Sequence, residues 1–453
     1  MIKIRDFNGR TLIRLLSFLK GRWPLYIVTL LTLGCSSLAI NYTFAMGVKG
    51  LAVAIEAKDT AMLLKVVKTA ALSLLALLII LPGMGYIFDV IVGKTTMDIR
   101  NKLFWHIQRL PMSFFENMHS GDIISRINND IQTAEGAYSN HLNMIVMVII
   151  SGVGSMIIIF RLQWKLSLVI ISVGILQFVG NTLFVKPLKK LGDIIQKSLS
   201  NVTQRLSDTV AGASVIRMFN MRSIMHDKFV SDSCEVRKWS MKRVITNSIL
   251  SGVNTFGWSM GIIGMIIIGS IMVINGETDY GTLMAAVQMS GGVMWLFDSI
   301  GNFITQIQAS LAGADRLFEI LDTPLERLGS DEGSKTYKRS AGQDFSIKGN
   351  NFKDSDVIID FDNVCFSYDD ANPILNGIDL SIRYQQVAAF AGHSGSGKST
   401  LFKLLMGYYL PTKGTVKVMG RPLEDYTAHE LRSLFAYVPQ DSYLYTGSIA
   451  ENI

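Results

Sequence analysis

The chain has 453 residues, 49% hydrophobic and only 17% charged, with a mean hydropathy of +0.33. Ordinary soluble proteins carry about 25% charged residues, so the balance excludes an ordinary soluble enzyme and indicates a chain held largely in lipid. The net charge of +7 comes from basic residues that flank apolar runs and form no single stripe, which argues against nucleic acid as a partner. Cys35, Cys234 and Cys365 are too few and too scattered for a disulfide framework or a metal site.

Residues 1–23 form an amphipathic N-terminal segment. Leu12, Leu15, Leu16 and Leu19 share one helical face, and Arg10, Arg14, Lys20 and Arg22 supply a basic remainder. Such a segment lies on an anionic membrane surface or begins the first span as a solvated turn. Six candidate spans follow at about 24–47, 69–92, 142–160, 166–185, 246–274 and 281–303, each near the ~20 residues needed to cross hydrocarbon. The third and fourth are joined by the short Arg161–Lys165 stretch, and the fifth and sixth by Asn275–Tyr280. The connections 93–141 and 186–245 are long and polar, so paired helices are expected to extend out of the bilayer on one side. Lys and Arg number about 23 on that long side and about 6 on the other, which makes the long side cytoplasmic.

Within the spans, Gly257 and Gly261 form a G-x-x-x-G pair suited to close helix packing. Asp89 and Asp298 fall in or near spans two and six. The favoured reading has both low in the cytoplasmic leaflet and hydrated; the sharper one makes them part of a route for cationic compounds. Asn41, Asn143, Gln177, Asn181, Asn247, Asn254 and Gln288 either line such a route or bond helix to helix. Residues 325–354 are polar and unperiodic, as a linker is.

From Val357 the pattern changes to a soluble domain. Val357–Phe361, Val364–Tyr368 and Ile378–Ile382 read as strands, with turns at Asp369-Asp370 and Asn376-Gly377. Val387–Ala391 reads as a buried strand ahead of Gly392-His393-Ser394-Gly395-Ser396-Gly397-Lys398-Ser399-Thr400, and Leu401–Met406 continues as a helix. The loop fits G-x-x-x-x-G-K-[ST]. Strand, glycine loop and helix turn backbone N–H groups toward one anion, so this is a nucleotide-phosphate site. Lys398 would reach the β- and γ-phosphates and Ser399 would ligate Mg²⁺.

Six spans joined by a linker to a phosphate-loop domain resemble an ABC transporter half-molecule of the exporter type. The resemblance covers essentially the whole chain. Further stretches carry it: Val364–Tyr368, where Tyr368 matches the aromatic that stacks on adenine, and Tyr437–Gln440 with Leu444–Ile453, the Q-loop region. Ser113–Glu116 with Gly121–Arg126 resembles the first coupling loop, Ala211–Arg217 the second, and Ala314–Leu321 the exit from the sixth helix. The resemblance implies an α-helical membrane domain of six transmembrane helices followed by a partial α/β P-loop NTPase domain. The expected organisation is 24–310 for the membrane domain, 311–355 for helix exit and linker, and 356–453 for the ATP-binding part. It implies ATP and Mg²⁺, with Gly392, Ser394, Gly395, Ser396, Gly397, Lys398, Ser399 and Thr400 around the phosphates. Gln440 would contact Mg²⁺ and the attacking water.

The family's ATPase domain continues with a signature motif, a Walker B aspartate, a catalytic glutamate and a switch histidine, none of which precedes Ile453. The expectation is therefore a sequence truncated within the nucleotide-binding domain, unable to hydrolyse ATP alone. Met289-Ser290-Gly291-Gly292 resembles the signature only superficially, because it lies in an apolar span ahead of the loop. The implied function is ATP-driven export, across a cell membrane, of a small or amphipathic substrate, with small molecule, lipid and peptide all open. A second half-transporter would complete it, with both termini and the ATP-binding domain cytoplasmic. The alternatives are an ATP-binding membrane regulator without turnover and a non-functional fragment.

Overall fold

The computed structural model describes residues 9–326, 353, 356–369, 372–440 and 443–452; most of the expected linker, the Asp370 half of one expected turn and the first eight residues lie outside these. A short helix α1 (Gly9–Leu16) leads into α2 (Trp23–Glu56), with Pro24 in its first turn, where a missing N–H costs nothing. Next come α3 (Thr60–Ile107), α4 (Met112–Asn117), α5 (Ser120–Ser125), α6 (Ile131–Gly136) and α7 (Leu142–Leu162). The last three form one helical run, Ser120–Leu162, interrupted by π turns at Arg126–Asp130 and Ala137–His141. Then follow α8 (Trp164–Ala211), α9 (Ala213–Met218), α10 (Arg222–Ile274) and α11 (Tyr280–Leu321).

All six expected spans fall on helices long and apolar enough to cross a membrane. The polar ends of α3, α8 and α10 continue as helix well past their apolar stretches, as the long connections suggested. At the short-turn side a single residue, Gln163, separates α7 from α8. Lys165 pairs there with Glu277 at 2.6 Å, and Lys49 donates to Thr282 at 2.7 Å.

The chain divides into two compact units. The first comprises 1–100 and 128–317. Its apolar core gathers Ile159, Leu166, Ile170, Met265, Met272, Leu283, Met289 and Val293 from α7, α8, α10 and α11. Small residues allow that approach: a Cβ on Gly269 would stand 2.1 Å from Leu283, and one on Gly261 would stand 2.8 Å from Met294. Met289 and Ser290 are buried here in α11, consistent with rejecting them as a signature. At the far end of the unit, Arg316 grips Asp130 through two hydrogen bonds of 3.0 and 2.5 Å.

The second unit comprises 101–127 and 318–453. Its sheet has the order β2-β1-β3-β4 and is antiparallel throughout, with β1 (Val357–Ser367), β2 (Pro373–Arg383), β3 (Lys413–Val418) and β4 (Arg421–Pro422). Helices α12 (Lys398–Leu405), α13 (Ala428–Ser433) and α14 (Ile449–Asn452) follow the glycine loop and β4. Phe361, Val364, Phe366, Leu375, Leu404, Val416 and Leu431 make the core between sheet and helices.

Three details correct the sequence reading. The two strands expected at 357–361 and 364–368 are one strand, because Asn363 takes a left-handed φ of +46° and lets the ladder bulge instead of turning back. The turn expected at Asn376-Gly377 is likewise an irregularity inside β2, with Gly377 at φ +65°. Residues 387–391 are not a strand. Among the described residues no neighbour pairs with them, and Val387 is 96% exposed; an apolar run of parallel-sheet type forms a strand only when flanked.

Candidate functional site

The glycine loop ends at the start of α12. Gly395 and Gly397 have φ of +84° and +88°, with Gly397 as the N-cap of the helix. Gly397 admits no side chain, since a Cβ would stand 2.7 Å from Leu375 and 3.2 Å from Ile374. The loop thus lies against β2 and runs into a helix N-terminus. Lys398 folds back over it, and its ammonium donates to the carbonyls of Gly392 (2.8 Å) and His393 (2.7 Å) and to Ser396 Oγ (3.3 Å). Ser394 and Ser399 are exposed, while Thr400 is buried under the helix with its hydroxyl 3.4 Å from that of Tyr368.

Tyr368 follows β1 and is brought to α12 by an aromatic cluster. Its ring lies edge-on to Phe366 at 4.9 Å and to Tyr409 at 5.0 Å, and the Lys403 ammonium sits 5.2 Å from its centre. Lys403 also pairs with Glu116 at 2.8 Å, and the Tyr409 hydroxyl donates to the same carboxylate at 2.8 Å. Burial alone would lower the Lys403 pKa, but its bonds to Glu116 and Tyr368 outweigh that and hold it above the ordinary lysine value. Burial first, then the Glu116 carboxylate, pushes the Tyr409 phenol up. Both stay protonated at neutral pH, as donors to one acid must.

Glu116 stands in α4, inside the stretch expected to be the first coupling loop. That segment is fastened to the end of α11 and its extension: His106 bonds the Thr323 carbonyl at 3.1 Å, Glu326 N–H donates to Arg109 O at 3.0 Å, and Arg126 meets Glu319 at 3.1 Å. Arg432 of α13 pairs with Glu326. The loop, Tyr368 and the segment expected to be the first coupling loop therefore share one compact unit.

Gln440 is exposed, and among the described residues no hydrogen bond joins it to Ser399 or Lys398. Lys403 and Tyr409 are the members that sequence reasoning missed. Nothing in their spacing signals a role; only the fold brings them to Glu116.

Comparison with known proteins agrees with this architecture. Residues 23–297 match the family model described as the ABC transporter transmembrane region, and 375–452 match that described as ABC transporter. The chain belongs to the ABC transporter family. Similar relatives of this family are ATP-dependent lipid A-core flippases. That of Syntrophus aciditrophicus is 25% identical over 396 residues, covering 86% of this chain and 63% of the relative. That of Vibrio parahaemolyticus is 28% identical over 369 residues, covering 81% and 60%. That of Escherichia coli (strain K12) is 27% identical over 370 residues, covering 82% and 60%. The chain thus spans about three fifths of the length of these relatives.

Proposed function

We propose that this chain is one half of a dimeric transporter that uses ATP to export an amphipathic, lipid-like molecule. The observation that carries the proposal is the Lys403–Glu116 ion pair of 2.8 Å, which ties the glycine-loop helix to the segment leading back into the membrane helices. The relatives' name, lipid A-core flippase, supports a lipid-like substrate. The excess of Lys and Arg beside the long helical extensions supports a cytoplasmic place for the ATP site in a cell membrane.

The residues present fit a nucleotide triphosphate. The side-chain-free contact of Gly397 with Leu375 leaves the loop backbone to a phosphate, flanked by Gly392, Ser394, Gly395 and Ser396. Lys398 would exchange its two loop carbonyls for phosphate oxygens, a stronger charge-assisted bond. Tyr368 would stack on the base, and buried Thr400 steadies Tyr368 from below. Mg²⁺ would be held by the Ser399 hydroxyl and Gln440, both hard oxygen donors, and when bound it neutralises charge on the phosphates. Gln440 would orient the attacking water once it is carried to the loop. Closure around the nucleotide would move Tyr368, Lys403 and Tyr409 together and pull on Glu116, biasing the membrane helices between two arrangements.

The test is Lys398→Ala in the complete protein. ATP-dependent transport of a lipid in proteoliposomes should vanish while membrane insertion is unchanged; undiminished transport would sink the proposal.

A further inference from the structure

The two intramembrane carboxylates, paired in the sequence reading, part company in the structure. Asp89 is exposed on α3. Asp298 of α11 instead accepts two amide hydrogen bonds at one oxygen, from Asn181 Nδ2 of α8 (3.4 Å) and from Asn254 Nδ2 of α10 (3.2 Å). Gln177 lies one turn from Asn181 on α8 and is 8% exposed. Its Oε1 stands 3.9 Å from where a Cβ on Gly257 would be, one turn from Asn254 on α10. Three helices thus converge on four polar side chains.

The two bonds to Asp298 leave acceptors in the cluster unmet. Gln177 Oε1, Asn181 Oδ1 and Asn254 Oδ1 are buried and accept no hydrogen bond. No Lys, Arg or His nitrogen lies within 4 Å of Asp298 among the described residues. Buried acceptors without donors are costly and uncommon, and an intramembrane carboxylate without a cation is rarer still. All three unpartnered atoms are acceptors, and Asp298 adds a carboxylate to them.

Depth narrows the ligand. Asn181, Asn254 and Asp298 each lie roughly 25–30 Å of helix from the short-turn ends of their helices, counted at ~1.5 Å per residue. That is the far edge of a hydrocarbon core about 30 Å thick. On the short-turn side the same three helices offer mainly apolar neighbours, Ile170, Val293, Met294 and Met265, with Phe297 against Gly174, interrupted by the buried hydroxyls of Ser167, Thr282 and Ser290.

We infer that this cluster is a binding site for the cationic headgroup, a primary ammonium or guanidinium, of an amphiphile whose tail lies along the apolar helices. Its several N–H donors meet the three amide oxygens, and its charge meets Asp298. A phosphate headgroup is repelled by the Asp298 carboxylate. The inference rests on the export reading for its physiological meaning, but binding itself needs no ATP.

The test uses the chain in nanodiscs of zwitterionic lipid without nucleotide, with calorimetric titration of dodecylammonium, dodecyl phosphate and potassium chloride. Dodecylammonium should bind at least about tenfold more tightly than dodecyl phosphate, and Asp298→Asn should remove most of that preference. Gln177→Leu, which deletes one acceptor at similar volume, should weaken dodecylammonium severalfold and serves where Asp298→Asn fails to insert. Equal affinity for both amphiphiles, indifference to both substitutions, or potassium binding that excludes dodecylammonium would each overturn the assignment. Loss of transport in Lys398→Ala together with failed ammonium binding would leave the exporter standing and remove only this site.

Discussion

Lys403 and Glu116, from distant parts of the chain, meet at 2.8 Å, and the Tyr409 hydroxyl donates to the same carboxylate. One face of this group touches Tyr368 and the other belongs to α4, so a disturbance at the aromatic ring has a short route to the coupling segment. Both side chains are about 30% exposed, so the pair is worth on the order of 1 kcal/mol and is screened by salt. Glu116→Gln keeps the acceptor for Tyr409 and removes the charge. In the complete protein it should lower transport per ATP hydrolysed by severalfold while nucleotide affinity changes little. Parallel measurement of transport and phosphate release checks this.

Tyr368 is expected to act through its ring. Tyr368→Ala should weaken ATP binding by on the order of 1–3 kcal/mol, and Tyr368→Phe should retain most of it. Titration with a fluorescent ATP analogue distinguishes the two; equal losses would assign the effect to the Thr400 contact instead.

Gly414 has φ +81°, and a Cβ there would stand 2.3 Å from the carbonyl oxygen of Asn363, itself at φ +46°. The two residues are halves of one bulge between β1 and β3. Gly414→Ala should destabilise the sheet by on the order of 3 kcal/mol, since neither strand can retreat without losing its ladder. A lower thermal midpoint and faster proteolysis within 357–418 would record it.

Thr427 and Glu430 form a reciprocal capping box at the start of α13. The Glu430 carboxyl is held below its ordinary value by the Thr427 backbone N–H first and the Thr427 side chain second. A carboxyl lowered in the folded state contributes stability above its ordinary pKa, near 4.5, and loses it as pH falls through the folded value. The protection of the Thr427 amide, its exchange rate taken relative to an unstructured amide at the same pH, should therefore fall on acidification below about pH 4.5. Glu430→Ala should abolish that pH dependence.

The six spans were legible because hydropathy over ~20 residues has few competing explanations. The loop was legible because its glycines and Lys398 serve one geometry. The strand at 387–391 was misread for a physical reason: apolar content records what a segment is suited to, whereas strand pairing depends on a neighbour. The bulge at Asn363 was hidden because an Asn with positive φ reads as a turn whether the chain reverses or runs on. Gln177 and Asn181 are visibly one turn apart on one face. That Asn254 and Asp298 would come to them required knowing how three helices pack.

The unit that carries the glycine loop is assembled from two separated stretches, 101–127 and 318–453. A soluble fragment starting near Val357 would therefore leave Lys403 and Tyr409 without their shared acid, and its α13 would lose Glu326. A synthetic peptide of residues 101–127 should bind that fragment and restore the contacts of Glu116 with Lys403 and Tyr409. The boundary a genetic engineer would draw at the linker is not the boundary along which the molecule comes apart.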